Sequence, residues 1–412
     1  FFLFFVIALD QLFEWGRHRL FCPAWDQPIW RGSDFVVCNA AKLPSGNSAQ
    51  WIHETYGFSL AVLTFAIVFG AFAANVLFGA MRPAHYVAKQ VAAMYGVRVI
   101  CLEEGYLRAG YVTCEIGGNN DSSPLCRWTP QYHRIDPVTA PIATRFSFHR
   151  MCLWGAAYYL VRDFRPTTAE QSLFHREREG IARLSWSWAK HAASRVTARV
   201  RSIAMLRCIR NRLDQRFVLV PLQVPSDSQL KFAARGWSNE RLVRETLLAL
   251  KHTQTTDSIV FKVHPLDRQA DKIRRLIRRV AREIGLTTRV HILDAGAMGD
   301  VVRHATGMIV INSTSAFSAL HQNIPTLVLG DAIYRHDCVV TLGQTQSDIR
   351  DFLHIRKAKS KEDVAAFFNV VKATALLPGD FYGAAGRKVA AGAIAQKIAQ
   401  HVGRVAVQVG AA

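Results

Sequence analysis

Apolar positions along the chain follow two patterns. Short continuous apolar runs mark strands buried on both faces, and stretches with apolar residues every three or four positions mark helices. In the first half, NVLFG (75–79) leads into a loop at Arg82-Pro83, then the helical HYVAKQVAAMYG closed by Gly96, then RVICL (98–102), which ends in EEGYLR. Strand, loop, helix, strand is the βαβ pattern. The second half repeats it more clearly, with strands FVLVPL (217–222), SIVFKV (258–263), VHIL (290–293), GMIVI (307–311) and TLVLG (326–330). Helical stretches separate them, including the cationic DKIRRLIRRVAREIG (271–285), and the tail from about residue 360 reads as helical and Ala-rich. Short apolar strands alternating with helices predict a doubly wound parallel sheet.

Residues 151–215 differ, being aromatic, Arg-rich and poor in strand signals, and predict a long basic helix or helix pair. Their cations read as a solvated face, with a membrane-apposed face as the alternative. The expected organisation is α/β, with two Rossmann-like domains facing a cleft. An N-terminal α/β acceptor-side domain covers 1–150, a basic helical connector 151–215, and a C-terminal α/β nucleotide-sugar domain with a helical tail 216–412. FFLFFVIAL at the start lacks a basic n-region and is a poor signal peptide, so the chain is expected to begin part-way into a domain, after a first strand. FSLAVLTFAIVFGAFAANVLFGAM (58–81) carries no charge and is long enough to span a bilayer. Gly70, Gly79 and the change at Arg82-Pro83 favour a buried helix (58–69) and a strand (75–78) instead.

Composition narrows the classes. A chain of 412 residues with 50% hydrophobic and 20% charged positions has the apolar mass for two cores, which excludes a disordered chain. Lys and Arg outnumber Asp and Glu by 51 to 31, and a net +20 calls for acidic company: nucleic acid, anionic lipid or phosphorylated substrate. The eight cysteines are scattered without a C-x-x-C pair, which suits reduced core residues of a cytosolic protein and gives no zinc spacing.

In open α/β sheets ligands bind beyond the carboxyl ends of the strands. The residues predicted there are Glu103, Glu104, Tyr106 and Arg108 after the second run; Gln223 and Asp227 after 217–222; Lys262 and His264 around the end of 258–263; and Asn312, Ser313, Thr314 and Ser315 after 307–311. NSTSAFSAL (312–320) places hydroxyls at the start of a helix, an anion site by its dipole and free N–H groups, or a plain N-cap. His264, held by Pro265, is a contact for a phosphate or leaving group, or a structural histidine. Asp227 and Glu104, from opposite halves, are the carboxylate pair that glycosyl transfer uses as nucleophile and acid/base, or ordinary loop carboxylates. No P-loop, G-x-G-x-x-G, G-x-S-x-G or H-E-x-x-H occurs, and no D-x-D that would hold a metal–nucleotide pair. No RNP-type or zinc-finger pattern supports specific nucleic-acid binding.

The segments FGAMRPAHYVAKQVA (78–92), EEGYLRAGYVTCEIGGNNDSSPL (103–125), VPLQVPSDSQL (220–230), VHPLD (263–267) and NSTSAFSALHQNIPTLVLGDAIY (312–334) occur in this order. In them the chain resembles the capsule polysaccharide biosynthesis and export family of Gram-negative bacteria, its single-module KpsS/LipB type in particular. The resemblance implies a GT-B-like, retaining, metal-independent β-Kdo glycosyltransferase without a cofactor, taking Kdo from CMP-Kdo to a lysophosphatidylglycerol-type anionic lipid acceptor. It implies a cytoplasmic protein, peripheral at the inner-membrane surface and working with a capsule assembly and export complex. By the same resemblance Asp227 is the nucleophile, Glu104 the acid/base, and His264 the group at the CMP phosphate. Gln223, Lys262, Asn312, Ser313, Thr314 and Ser315 hold the donor, and Arg82, His85, Glu103, Tyr106, Arg108 and Asn119 line the acceptor side. A non-catalytic assembly partner, a transferase using another CMP-ulosonic acid, a nucleotide-sugar epimerase and a nucleic-acid binder are the competing readings.

Overall fold

A computed structural model describes residues 74–80, 83–94, 97–107, 109–130, 140–164, 180–225 and 227–409. The expectations for the N-terminal apolar stretch, the 58–69 helix, Gly96, Cys22, Cys38, Arg82 and Arg108 lie outside these residues. In chain order the first half holds β1 (Ala74–Phe78), α1 (Pro83–Met94), β2 (Arg98–Glu104) and β3 (Tyr111–Ile116), followed by the helices α2 (Ser147–Phe164) and α3 (Ile181–Asn211). The second half runs β4 (Phe217–Pro221), α4 (Ser228–Phe232), α5 (Asn239–Lys251), β5 (Ser258–Lys262), α6 (Ala270–Glu283), β6 (Val290–Leu293), α7 (Met298–Val302), β7 (Gly307–Val310), α8 (Ala316–His321), β8 (Thr326–Val328) and β9 (Thr341–Leu342). The chain closes with α9 (Gln346–His354), α10 (Lys361–Thr374), β10 (Leu376–Pro378) and α11 (Ala384–Val409).

The second half builds a six-stranded, all-parallel sheet in the order β6-β5-β4-β7-β8-β9. This is the Rossmann order, whose direction of winding reverses between β4 and β7. Its central strands FVLVP, SIVFK and GMIV are buried at every position, as a sheet covered on both faces requires. The covering helices are amphipathic. In α6 Ile273, Leu276, Ile277 and Val280 face the sheet while most of the arginines face solvent. The start of α9 is closed by a reciprocal capping box between Thr345 and Asp348.

The first half differs from the expected Rossmann unit. Its sheet has four strands in the order β1-β2-β3-β10, and only β1 and β2 run parallel. The chain after β2 turns back as β3, a strand the apolar pattern does not predict. Gly105 and Gly110 make this hairpin possible: a Cβ at Gly105 would lie 2.5 Å from the Tyr111 carbonyl oxygen, and Gly110 sits at φ +94°. The tail also departs from the expected boundary. β10 pairs antiparallel with β3, and Ala390 and Ile394 of α11 pack on Ile100, Leu102, Val112 and Cys114, so residues 376–409 complete the first sheet instead of extending the second half.

The halves share one core. Tyr106 and Leu125 from the first pack with Phe317, Tyr334 and Phe367 of the second. His336 donates through Nε2 to the Leu125 carbonyl at 2.9 Å, and Trp128 lies edge-on to the same imidazole.

Candidate active site

The parallel sheet places its polar strand ends at the winding reversal. Gln223 follows β4 and Asn312 follows β7, and Gln223 Nε2 donates to Asn312 Oδ1 at 3.0 Å. Asn239, at the start of α5, grips the Gln223 backbone twice: its Oδ1 accepts from Gln223 N at 3.2 Å, and its Nδ2 donates to Gln223 O at 2.6 Å. Asn312 Nδ2 continues to the Gln229 carbonyl at 3.1 Å. All three amide side chains are buried, and each finds a partner.

Asp227 is the N-cap of α4, with Oδ1 accepting from Gln229 N at 3.0 Å. The Ser313-Thr314-Ser315 turn is held by its own groups. Ser315 Oγ and N both reach Ser313 Oγ, at 2.8 and 3.2 Å, and Tyr334 OH donates to Ser313 O at 2.7 Å. The Ala316 and Phe317 amides bond Ser313 O and Thr314 O, and Ser315 does not cap α8 through its side chain. Four donors expected for an anion, the Ser315 hydroxyl and the Ser315, Ala316 and Phe317 amides, are therefore engaged in the turn. His264 Nδ1 accepts from Leu266 N at 3.1 Å, which places the proton of the neutral ring on Nε2. Lys262 closes β5 and is buried.

On the first sheet, consecutive strand residues face opposite sides, and Glu103 and Glu104 diverge. Glu103 Oε2 accepts from Asn119 Nδ2 at 2.8 Å and Asn120 Nδ2 at 2.5 Å. Asn119, fully buried, accepts from Ala80 N at 3.2 Å, and His85 Nδ1 donates to Gly79 O at 2.7 Å, so both residues fix the loop after β1. Glu104 instead accepts from the Tyr382 hydroxyl, 278 residues along the chain. Tyr106 OH donates to Glu115 Oε2 at 2.6 Å and accepts from Asn120 N at 2.7 Å. Ser123 Oγ donates to Glu115 Oε1 at 2.5 Å. Burial pushes the Glu115 carboxyl up, opposed by the hydrogen bonds from Ser123 and Tyr106. Burial likewise pushes the Tyr106 phenol well above its ordinary range, and the Glu115 charge adds to the shift.

The two sides meet at a narrow crevice lined by Tyr106 and Asn120 from the first half and by Gln229, Asn312, Thr314, Asp331 and Tyr334 from the second, with a free volume of about 10 Å³, room for about one water. Of the residues expected from sequence, Tyr106, Asn312 and Thr314 reach this lining. Glu103, Gln223 and Asp227 stand one hydrogen bond behind it, through Asn120, Asn312 and the Gln229 amide. Glu104 points to the face of β2 covered by the chain's tail. Sequence reasoning missed Asn120, Gln229, Asp331, Glu115 and Asn239 as site residues. Asn120 and Gln229 sit inside segments that carried the resemblance, and Asp331 directly follows the run ending at Gly330. Glu115 has a signal too, since the alternation of YVTCEI puts Thr113 and Glu115 on one strand face. Asn239 has none, because its partner is the backbone of a residue on another element.

Residues 73–382 match the family model described as capsule polysaccharide biosynthesis protein. The chain belongs to this family. The five ordered segments lie within the match. Among relatives of this capsule protein, Escherichia coli KpsS, a capsule polysaccharide export protein, is 33% identical over 264 residues, covering 62% of this chain and 67% of KpsS. LipB of Neisseria meningitidis serogroup B, a capsule polysaccharide modification protein, is 30% identical over 269 residues, covering 63% of this chain and 64% of LipB. The match thus spans about two thirds of each relative's length. Among solved structures, a Thermosulfurimonas dismutans KpsC β-Kdo 2,7 transferase superposes with a TM-score of 0.35 at 15% identity, over 74% of this chain and 78% of that one. A Listeria monocytogenes protein described as a UDP-N-acetylglucosamine 2-epimerase superposes at 0.30 and 11%, over 79% and 75%.

Proposed function

We propose that this capsule biosynthesis protein is a retaining glycosyltransferase that moves Kdo from CMP-Kdo to a lysophosphatidylglycerol-type lipid. The observation that carries the reading is the juxtaposition at the reversal of the parallel sheet, where family segments from both halves meet at Tyr106, Asn312 and Thr314. In this reading Asp227 attacks the anomeric carbon of Kdo and CMP departs with its bonding electrons. The acceptor hydroxyl, losing its proton to an acceptor-side carboxylate, then displaces Asp227 and restores the starting configuration. His264 Nε2–H and the Thr314 hydroxyl answer the growing charge on the CMP phosphate. Lys262, Gln223, Asn312, Ser313 and Ser315 shape the donor side. Glu104, the base expected from sequence, lies on the strand face covered by the tail and takes no part in this step, while Glu103 holds Asn119 and Asn120 at the acceptor side. The reading takes no metal or cofactor, as the family resemblance implies. The protein would act at the cytoplasmic face of the inner membrane, within a capsule assembly and export complex.

A second reading, a non-catalytic assembly partner, is favoured by one observation: Asp227 and Glu104 both have structural tasks, as a helix cap and as the acceptor of Tyr382. One experiment separates the two. Purified protein is mixed with CMP-Kdo and a fluorescent lysophosphatidylglycerol, and the lipid is weighed by mass spectrometry. A gain of one Kdo, lost in Asp227→Asn, supports transfer. An unchanged lipid with no CMP released from a folded protein, across a panel of CMP-ulosonic acids, supports the assembly role.

A further inference from the structure

The connector helix α3 has two apolar rows on opposite faces. The inner row, Leu184, Ala198, Ser202 and Ile209, is buried, and Ser202 Oγ there accepts from Ala295 N at 2.9 Å. The outer row is Trp186, Ala189, Ala193, Val196, Val200 and Ile203, spaced three and four residues apart, which aligns them along one side of a helix. Every member is exposed, Trp186 by 73%, Val196 by 66% and Val200 by 65%. On soluble surfaces single apolar side chains need no explanation, but a continuous row of this length marks a surface that is covered in use.

The charge around the row says what covers it. α3 carries seven Lys and Arg and no Asp or Glu. On the helical wheel Arg183 and Lys190 flank the row on one side, and Arg199 and Arg210 on the other. Alternating three-four spacing is also the seam of a coiled coil, but a second copy would bring these cations against their own kind. The flanks demand a negative partner. Long basic side chains beside an apolar strip, with a tryptophan near one end, suit a bilayer surface, where apolar groups enter the acyl boundary and Arg and Lys reach the lipid phosphates. α2, packed against α3, adds an exposed row of its own in Leu153, Ala156 and Leu160. No helix among the described residues is long and apolar enough to cross a membrane, so the geometry is one of lying on the surface.

We infer that the outer face of α3 docks this protein on an anionic lipid bilayer. The inference is independent of the transfer reaction, because its readout is binding alone. Full-length protein is floated with vesicles of phosphatidylcholine alone, and with vesicles in which roughly one third of the lipid is anionic phosphatidylglycerol. Binding is expected to the anionic vesicles only, and to weaken at about 0.5 M salt. Arg183→Gln with Lys190→Gln should weaken it roughly twenty-five-fold, at about fivefold per basic residue. Val196→Glu with Val200→Glu should abolish it, with far-UV circular dichroism unchanged because both sites are exposed. The inference is overturned if anionic vesicles do not bind, if both lipid mixtures bind alike, or if the Val196/Val200 variant binds like the wild type. It is overturned as well if light scattering shows a dimer that the Val196/Val200 variant dissolves while vesicle binding is absent. Capture of an acidic partner helix by a protein that ignores vesicles would replace the bilayer with a protein.

Discussion

The two sheets solve the same task by different means. The parallel sheet is built from neighbours in sequence, and each βαβ step brings the next strand alongside one already placed. Its candidate site residues ride on strand ends that the sheet itself fixes, as Gln223 and Asn312 do. The mixed sheet is assembled from distant pieces, β1 to β3 from the front and β10 with α11 from the back. Its candidate site residues are held by a side-chain network around the buried Glu115 instead. Position thus comes from backbone topology on one side of the crevice and from hydrogen bonds on the other.

The largest test concerns the parallel side. Asp227→Asn should lower CMP release on the order of 10³-fold, about 4 kcal/mol of barrier, with the melting temperature unmoved. Asparagine caps a helix as well as aspartate does, so an Asn variant that is stable but inactive separates chemistry from capping. An active Asn variant would return Asp227 to a purely structural role. The next test breaks the mixed sheet. Ile394→Ala should cost about 2–5 kcal/mol by opening a cavity between α11 and the sheet. Hydrogen exchange should then speed up in β2 and β3 and leave β4, β5 and β7 protected. Uniform acceleration would mean that the two sheets unfold as one unit.

A subtler test is pH. Burial raises the Glu115 pKa, so the folded chain keeps that proton to higher pH than the unfolded chain does. Its contribution to stability is therefore full below the unfolded carboxyl range and is lost as pH rises through the folded pKa. Glu115→Gln should flatten this part of the stability–pH curve, read as the difference between wild type and variant in urea melts. An identical slope in both would remove Glu115 as its source. The smallest effect belongs to the joint between halves. His336→Phe keeps the ring against Trp128 and Phe367 but loses the bond to the Leu125 carbonyl, at a cost of about 1 kcal/mol. Thermal melts should show it as a small shift.

The difference between the sheets also explains what could be read in advance. β4 to β8 are legible as short, mainly apolar runs, and the polar residues that close β4, β5 and β7 are the donor-side candidates. β3 escaped because Thr113 and Glu115 interrupt its apolar run, and their burial makes sense only once Tyr106, Asn120 and Ser123 are in place. β10 is three residues long, and nothing near it in sequence pairs with it. The divergence of Glu103 and Glu104 follows from strand alternation, which the apolar run ending at Leu102 does not extend to them. Tyr382 as the partner of Glu104 had no local signal.

The return of β10 sets an order of events during synthesis. The strands made first cannot finish their sheet until Leu376–Pro378 leave the ribosome, whereas β4 to β9 close among themselves as they emerge. Glu104 waits for Tyr382 across 278 residues, on the order of tens of seconds at the usual rate of elongation. For that interval one edge of β3 has no strand beside it. The half of the protein that is born first is the half that matures last.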